Sequence, residues 1–121
     1  VLNRTPGRAE KLAEEFNCSW AALDSVGIKA AGHNIDIIVQ TTSAGMKGQE
    51  GIDPIPEYRF TGKEIACEIV YIPRNTPFLK RALQAGCRVI TGSKMLFAQG
   101  VEQFRIFTGC DYPLDFDDID L

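Results

Sequence analysis

Apolar positions in the first third of the chain fall into two kinds of pattern. Ala9, Leu12, Ala13 and Phe16 lie at i, i+3, i+4 and i+7, a single stripe that predicts a helix from about Pro6 to Phe16. Thr5 is placed to cap that helix, and Pro6 suits its first turn. Val1-Leu2-Asn3 ahead of it reads as the tail of a buried strand. Residues 18–20 suit a short strand and residues 21–31 a weak helix or loop, because Gly27 and Gly32 interrupt any longer pattern. Ile35-Asp36-Ile37-Ile38-Val39 is β-branched and almost continuous, the pattern of a parallel strand covered on both faces.

The pattern then changes. Thr41-Thr42-Ser43-Ala44-Gly45-Met46 and a polar stretch carrying Gly48, Gly51, Pro54 and Pro56 have the composition of a surface loop, where binding groups often sit. Residues 65–72 read as another strand, an apolar run with Glu68 as its only charge, ended by Pro73. Asn75 or Thr76 starts a helix through Phe78, Leu79, Ala82 and Leu83, stopped by Gly86 at the C′ position. Arg88-Val89-Ile90 is a short strand, and Thr91-Gly92-Ser93 turns into a helix reaching about Phe107, with Leu96, Phe104 and Phe107 assigned to the core. Strands alternating with helices indicate an α/β fold built on a parallel sheet. Residues 1–110 make one domain, and the tail 111–121, with five aspartates and little periodic apolar character, is expected to be mobile.

Charge narrows the function. With 13 basic and 16 acidic residues the net charge is −3, which does not match the basic footprint of a nucleic-acid binder. The apolar runs are too short to cross a bilayer and no signal peptide opens the chain, so a cytoplasmic protein is expected. Cys18, Cys67, Cys87 and Cys110 form no CxxC pair and read as reduced thiols rather than metal ligands. The single histidine, His33, sits between Gly32 and Asn34 and reads as a surface loop residue.

The chemistry that stands out is at the start. In nucleotide-binding α/β folds the second strand ends beside the adenosine ribose, where a carboxylate selects NAD and an arginine accommodates the 2′-phosphate of NADP. Here that place holds Asn3-Arg4-Thr5 with Arg8 one turn later: two guanidinium groups, a hydroxyl and a helix N-terminus, a set suited to a dianionic phosphate. The same residues also suit a plain helix start with two solvated arginines.

These residues, followed in order by D-I-I-V-Q-T-T-S-A-G-M over 36–46, V-Y-I-P over 70–73, T-P-F-L over 76–79, G-S-K-M-L over 92–96 with Gln99, and F-T-G over 107–109, resemble the shikimate dehydrogenases. The resemblance runs from Val1 to about Pro113. It implies a Rossmann-like domain in which Asn3, Arg4, Thr5 and Arg8 hold the adenosine end of NADP, with Thr42 and Ser43 near the diphosphate and ribose. It further implies that Ile69, Gly92 and Met95 border the nicotinamide, and that Tyr71 and Gln99 face shikimate. Met95, Gln99 and Gln103 lie four apart on one helical face, and Tyr71 closes a buried strand where open α/β sheets bind ligands.

The match has gaps. The family's first strand and glycine-rich turn have no counterpart here, and the lysine and aspartate that act on the oxidised hydroxyl belong to a separate N-terminal domain, so no residue of this chain is expected to be catalytic. Glu68 stands where the family usually has aspartate, and Gln40 where asparagine or alanine is commoner. The chain is thus expected to be the NADP-binding portion of a longer enzyme that interconverts 3-dehydroshikimate and shikimate in aromatic amino-acid biosynthesis. Strand edges left unpaired would be met by a borrowed strand, a different pairing, or association with another copy. The rival readings are a non-catalytic nucleotide-binding module and a related quinate dehydrogenase.

Overall fold

The computed structural model describes residues 1–32 and 34–118; His33 lies outside the described residues. The elements follow in the order β1 (Leu2–Asn3), α1 (Pro6–Phe16), β2 (Ala21–Ala22), α2 (Ser25–Ala31), β3 (Ile37–Gln40), β4 (Ile65–Glu68), α3 (Pro77–Gln84), β5 (Arg88–Ile90) and α4 (Gly92–Thr108), ending in a 3-10 turn at Phe116–Asp118. Every strand pair among the described residues is parallel: β1 with β2, and β3 with β4 and β4 with β5. Parallel neighbours need a crossover, and α1 and α3 supply those between β1 and β2 and between β4 and β5. The architecture is the expected α/β one, in two hydrogen-bonded parts, with no pairing between β1 and β3 among the described residues.

Local chemistry sets the helix ends. Asp24 caps α2 by accepting from the N–H groups of Val26 and Gly27 at 3.0 and 2.8 Å. Thr76 caps α3 by accepting from Leu79 N–H at 3.2 Å, and Gly86 beyond its end takes φ +89°, the left-handed conformation expected of a C′ glycine. Thr5 occupies the N-cap position of α1 in extended conformation, yet its hydroxyl makes no capping bond; its carbonyl accepts from Arg8 N–H instead.

Several expectations need correction. The strand expected at residues 18–20 is found instead at Ala21–Ala22, where Ala21 N–H and Leu23 N–H bond the carbonyls of Val1 and Asn3. Small residues are needed there because α2 rides directly on β2: a Cβ at Gly27 would sit 1.9 Å from the Ala22 carbonyl oxygen. Gly27 is therefore a packing residue inside α2, not a break. On α1 only Ala9 and Ala13 are buried, while Leu12 and Phe16 are exposed. β3 alternates rather than being covered on both faces: Gln40 is buried and Ile38 partly so, with Ile37 and Val39 exposed. Phe107 is 82% exposed and Leu96 is also exposed, so neither belongs to the core.

The core lies on the other face of β4, where Ala66 meets Ile28 from α2, Phe78, Leu79 and Ala82 from α3, and Ile55 and Tyr58 from the long loop after β3. Phe60 joins it edge-on to Tyr58 and Phe78, with ring centroids at 5.2 and 5.6 Å. Within the acidic tail, Tyr112 and Phe116 pack against Phe97 of α4 at 6.0 and 5.7 Å. Among the described residues no helix is long and apolar enough to cross a membrane.

Candidate functional site

A cleft of about 500 Å³ opens where β1 ends and the loop after β3 begins, and its walls include Asn3, Arg4, Thr5, Arg8, Thr42 and Ser43. Six of the nine residues expected to hold the cofactor therefore converge. The turn out of β1 is shaped by Asn3, whose side-chain oxygen accepts from Thr5 N–H at 2.8 Å and directs the chain into α1. Arg4 and Arg8 are exposed and make no ion pair among the described residues, so the cleft carries two available guanidinium groups. Asp53 also lines it, but its carboxylate is already held by Arg81 at 2.6 Å. The available charge facing the cleft is thus positive, the sign an adenosine phosphate requires.

The other wall is the segment from Thr41 to Ala44. It turns tightly: Met46 N–H bonds the Ser43 carbonyl at 3.1 Å, Gly45 N–H bonds the Gln49 carbonyl at 3.0 Å, and Ala44 N–H bonds the Thr42 hydroxyl at 3.1 Å. Gly45 has φ +87° and lies so close to Thr76 that a Cβ there would stand 2.8 Å from its methyl group. Both the conformation and the contact require glycine. Met46, which follows Gly45, is exposed.

Ile69, Gly92, Met95, Tyr71 and Gln99 do not line this cleft. Of these, Gly92 opens α4 beside Ile69 and Val70, just after β4. A Cβ on Gly92 would meet the Val70 carbonyl oxygen at 2.2 Å and that of Ile69 at 2.8 Å, so Gly92 is what lets α4 abut the strand end. Tyr71, Met95 and Gln99 are exposed, with Met95 and Gln99 one helical turn apart on α4.

Sequence reasoning passed over the polar network beneath the cleft. Gln40 and Glu68, at the paired ends of β3 and β4, are 4% and 1% exposed, and Gln40 Nε2 donates to Glu68 Oε1 at 2.9 Å. The Thr76 hydroxyl donates to the other carboxylate oxygen. Burial pushes the Glu68 carboxyl above its ordinary range, against the pull of the Thr76 and Gln40 hydrogen bonds, and the charge of Asp53 adds to the rise. The available signal was Glu68 itself, a lone charge within an apolar run.

No protein-family model matches the chain. A curated shikimate dehydrogenase (NADP(+)) of Maridesulfovibrio salexigens is 38% identical over 110 residues, which cover 90% of this chain and 39% of that protein. The crystal structure of shikimate 5-dehydrogenase from Thermus thermophilus in complex with NADP(H) and shikimate superimposes with a TM-score of 0.80 at 36% identity, covering 97% of this chain and 41% of that one. Over nearly its whole length the chain is similar to one part of the shikimate dehydrogenases. A quinate dehydrogenase from Corynebacterium glutamicum in complex with NAD is also similar, with a TM-score of 0.81 at 26% identity, covering 98% of this chain and 43% of that one. The chain spans about two fifths of the length of the curated relatives it matches.

Proposed function

We propose that the chain is the NADP(H)-binding part of a shikimate dehydrogenase, an oxidoreductase that reversibly reduces 3-dehydroshikimate to shikimate. The observation that carries this reading is the cleft at the end of β1, where among the described residues Arg4 and Arg8 make no ion pair and the one carboxylate lining it, Asp53, is occupied by Arg81. A ribose 2′-phosphate supplies the negative charge that this arrangement lacks, and a free 2′-hydroxyl does not. Bound NADPH supplies the hydride. The chain's own share is to bind and orient: Asn3, Arg4, Thr5 and Arg8 at the adenosine end, Thr42 and Ser43 along the diphosphate, and Ile69, Gly92 and Met95 beside the nicotinamide. Tyr71 and Gln99, exposed near the start of α4, are the residues assigned to the substrate.

The likeness to the NAD-bound quinate dehydrogenase favours a second reading, in which quinate is the substrate. Side-by-side turnover of shikimate and quinate separates the two.

Calorimetric titration with NADP+ and NAD+ tests the cofactor assignment. Arg4→Ala removes a charged hydrogen-bond donor that only NADP+ uses, so its affinity is expected to fall about tenfold or more while that for NAD+ stays within about twofold. Equal losses for both cofactors would overturn the assignment.

A further inference from the structure

Gln40 does not itself line the cleft, yet each polar group of its side chain is committed to the cleft's wall or to what supports it. Its Nε2 donates to the Ala44 carbonyl at 3.1 Å and to Glu68 Oε1 at 2.9 Å, and its Oε1 accepts from Thr42 N–H. The amide therefore grips the loop at both ends of the Thr42–Ala44 segment. Only one orientation of the amide is compatible with these neighbours. Glu68 Oε1 and the Ala44 carbonyl are acceptors, so the NH2 group must face them, and Thr42 N–H is a donor, so the oxygen must face it. A flipped amide would set oxygen against oxygen on one side and N–H against N–H on the other.

Glu68 is fixed in turn. Its Oε2 accepts from the Thr76 hydroxyl, which itself accepts from Leu79 N–H at the start of α3. Glu68 and Thr76 are each 1% exposed, so water does not compete for these bonds. A continuous chain of hydrogen bonds thus runs from the α3 cap through Glu68 and Gln40 to the loop.

We propose that Gln40 is a positioning residue for the cofactor, its amide oriented by Glu68 so as to hold the Thr42–Ala44 segment as the second wall of the cleft that Arg4 and Arg8 line. The proposal rests on the NADP reading and adds the group that sets the shape of the diphosphate side.

The test uses two ligands and two variants of the full chain, followed by calorimetry or NMR titration. NADP+ spans both walls of the cleft, whereas adenosine 2′-phosphate reaches only the arginine wall. Gln40→Met keeps length and apolar bulk but loses the hydrogen bonds to Thr42 and Ala44. It is expected to weaken NADP+ about tenfold and to leave adenosine 2′-phosphate within about twofold. Glu68→Gln, nearly isosteric, replaces the carboxylate to which Gln40 Nε2 donates with an amide that can present its own NH2 there, and is expected to weaken NADP+ about threefold with the same selectivity; it decides the matter if Gln40→Met does not fold. Unchanged NADP+ affinity in either folded variant, or equal loss of both ligands, would overturn the proposal. Failure of the unsubstituted chain to bind either ligand would instead overturn the NADP reading, and this proposal with it.

Discussion

Arg81 of α3 reaches back to Asp53 in the loop after β3, placing its Nη1 2.6 Å from Asp53 Oδ2. The same guanidinium donates to the Ile55 carbonyl at 3.0 Å and to the Tyr58 carbonyl, and lies over the Phe60 ring at 5.5 Å. One side chain thereby ties the loop to the core at three points, a geometry that a planar fork provides and a single ammonium does not. The Asp53 side chain is 8% exposed, so losing its partner would strand a buried charge.

Arg81→Lys should therefore destabilise the protein despite keeping the charge. Breaking a buried pair costs about 3–5 kcal/mol; the partial exposure of Arg81 and the charge kept by lysine reduce the expected loss to about 1–3 kcal/mol. Urea unfolding of the two proteins measures it. A loss below about 0.5 kcal/mol would show that the loop is held by its apolar contacts alone.

Gly92 makes a steric prediction. Its missing Cβ is where the Val70 and Ile69 carbonyl oxygens stand, at 2.2 and 2.8 Å, and backbone atoms cannot swing aside as a side-chain tip can. In Gly92→Ala the start of α4 must move off the end of β4, at an expected cost of about 1–3 kcal/mol. The same shift would displace Met95 and Gln99, so under the proposed assignment the variant should also lose affinity for substrate. Unfolding and substrate titrations on one preparation check both effects. A variant as stable as the parent would show that the junction yields without cost.

The parts of this molecule legible in its sequence are those set by local chemistry. Thr76 and Gly86 bracket α3 as the cap rules require, and Arg88–Ile90 is a strand where three apolar-flanked residues suggested one. The convergence of Asn3, Arg4, Thr5 and Arg8 with Thr42 and Ser43 could be anticipated because strand ends and the loops that follow them gather on one side of a parallel sheet. Burial was less legible. Ile37, Val39 and Phe107 are as apolar as any core residue, and only the arrangement of neighbouring elements decides whether something covers them. Long-range polar pairs were the least legible, because Gln40 and Glu68 are 28 positions apart and only the register of β3 on β4 brings them together.

Glu64 ties stability to pH. This buried carboxylate accepts from Tyr58 OH at 2.9 Å, from the Thr61 hydroxyl at 2.9 Å, and from the N–H groups of Thr61 and Lys63. Burial alone would raise its pKa, but these donors together outweigh it and hold the carboxyl at about 2, below its ordinary 4.5. A depressed folded-state pKa means that the charged form stabilises the fold. That contribution is complete above pH 4.5 and is lost as pH falls towards about 2, an effect of about 3 kcal/mol in all. Tyr58 gives the opposite limb. Burial and its bond to Glu64 push the phenol up to about 12, so its share is present below pH 10 and is lost as pH rises through about 12. Glu64→Gln should accordingly flatten the acid side of a stability-against-pH curve, and Tyr58→Phe the alkaline side, with urea unfolding from pH 2.5 to 11 as the measurement. An acid limb equally steep with and without the Glu64 carboxylate would assign acid sensitivity to other groups.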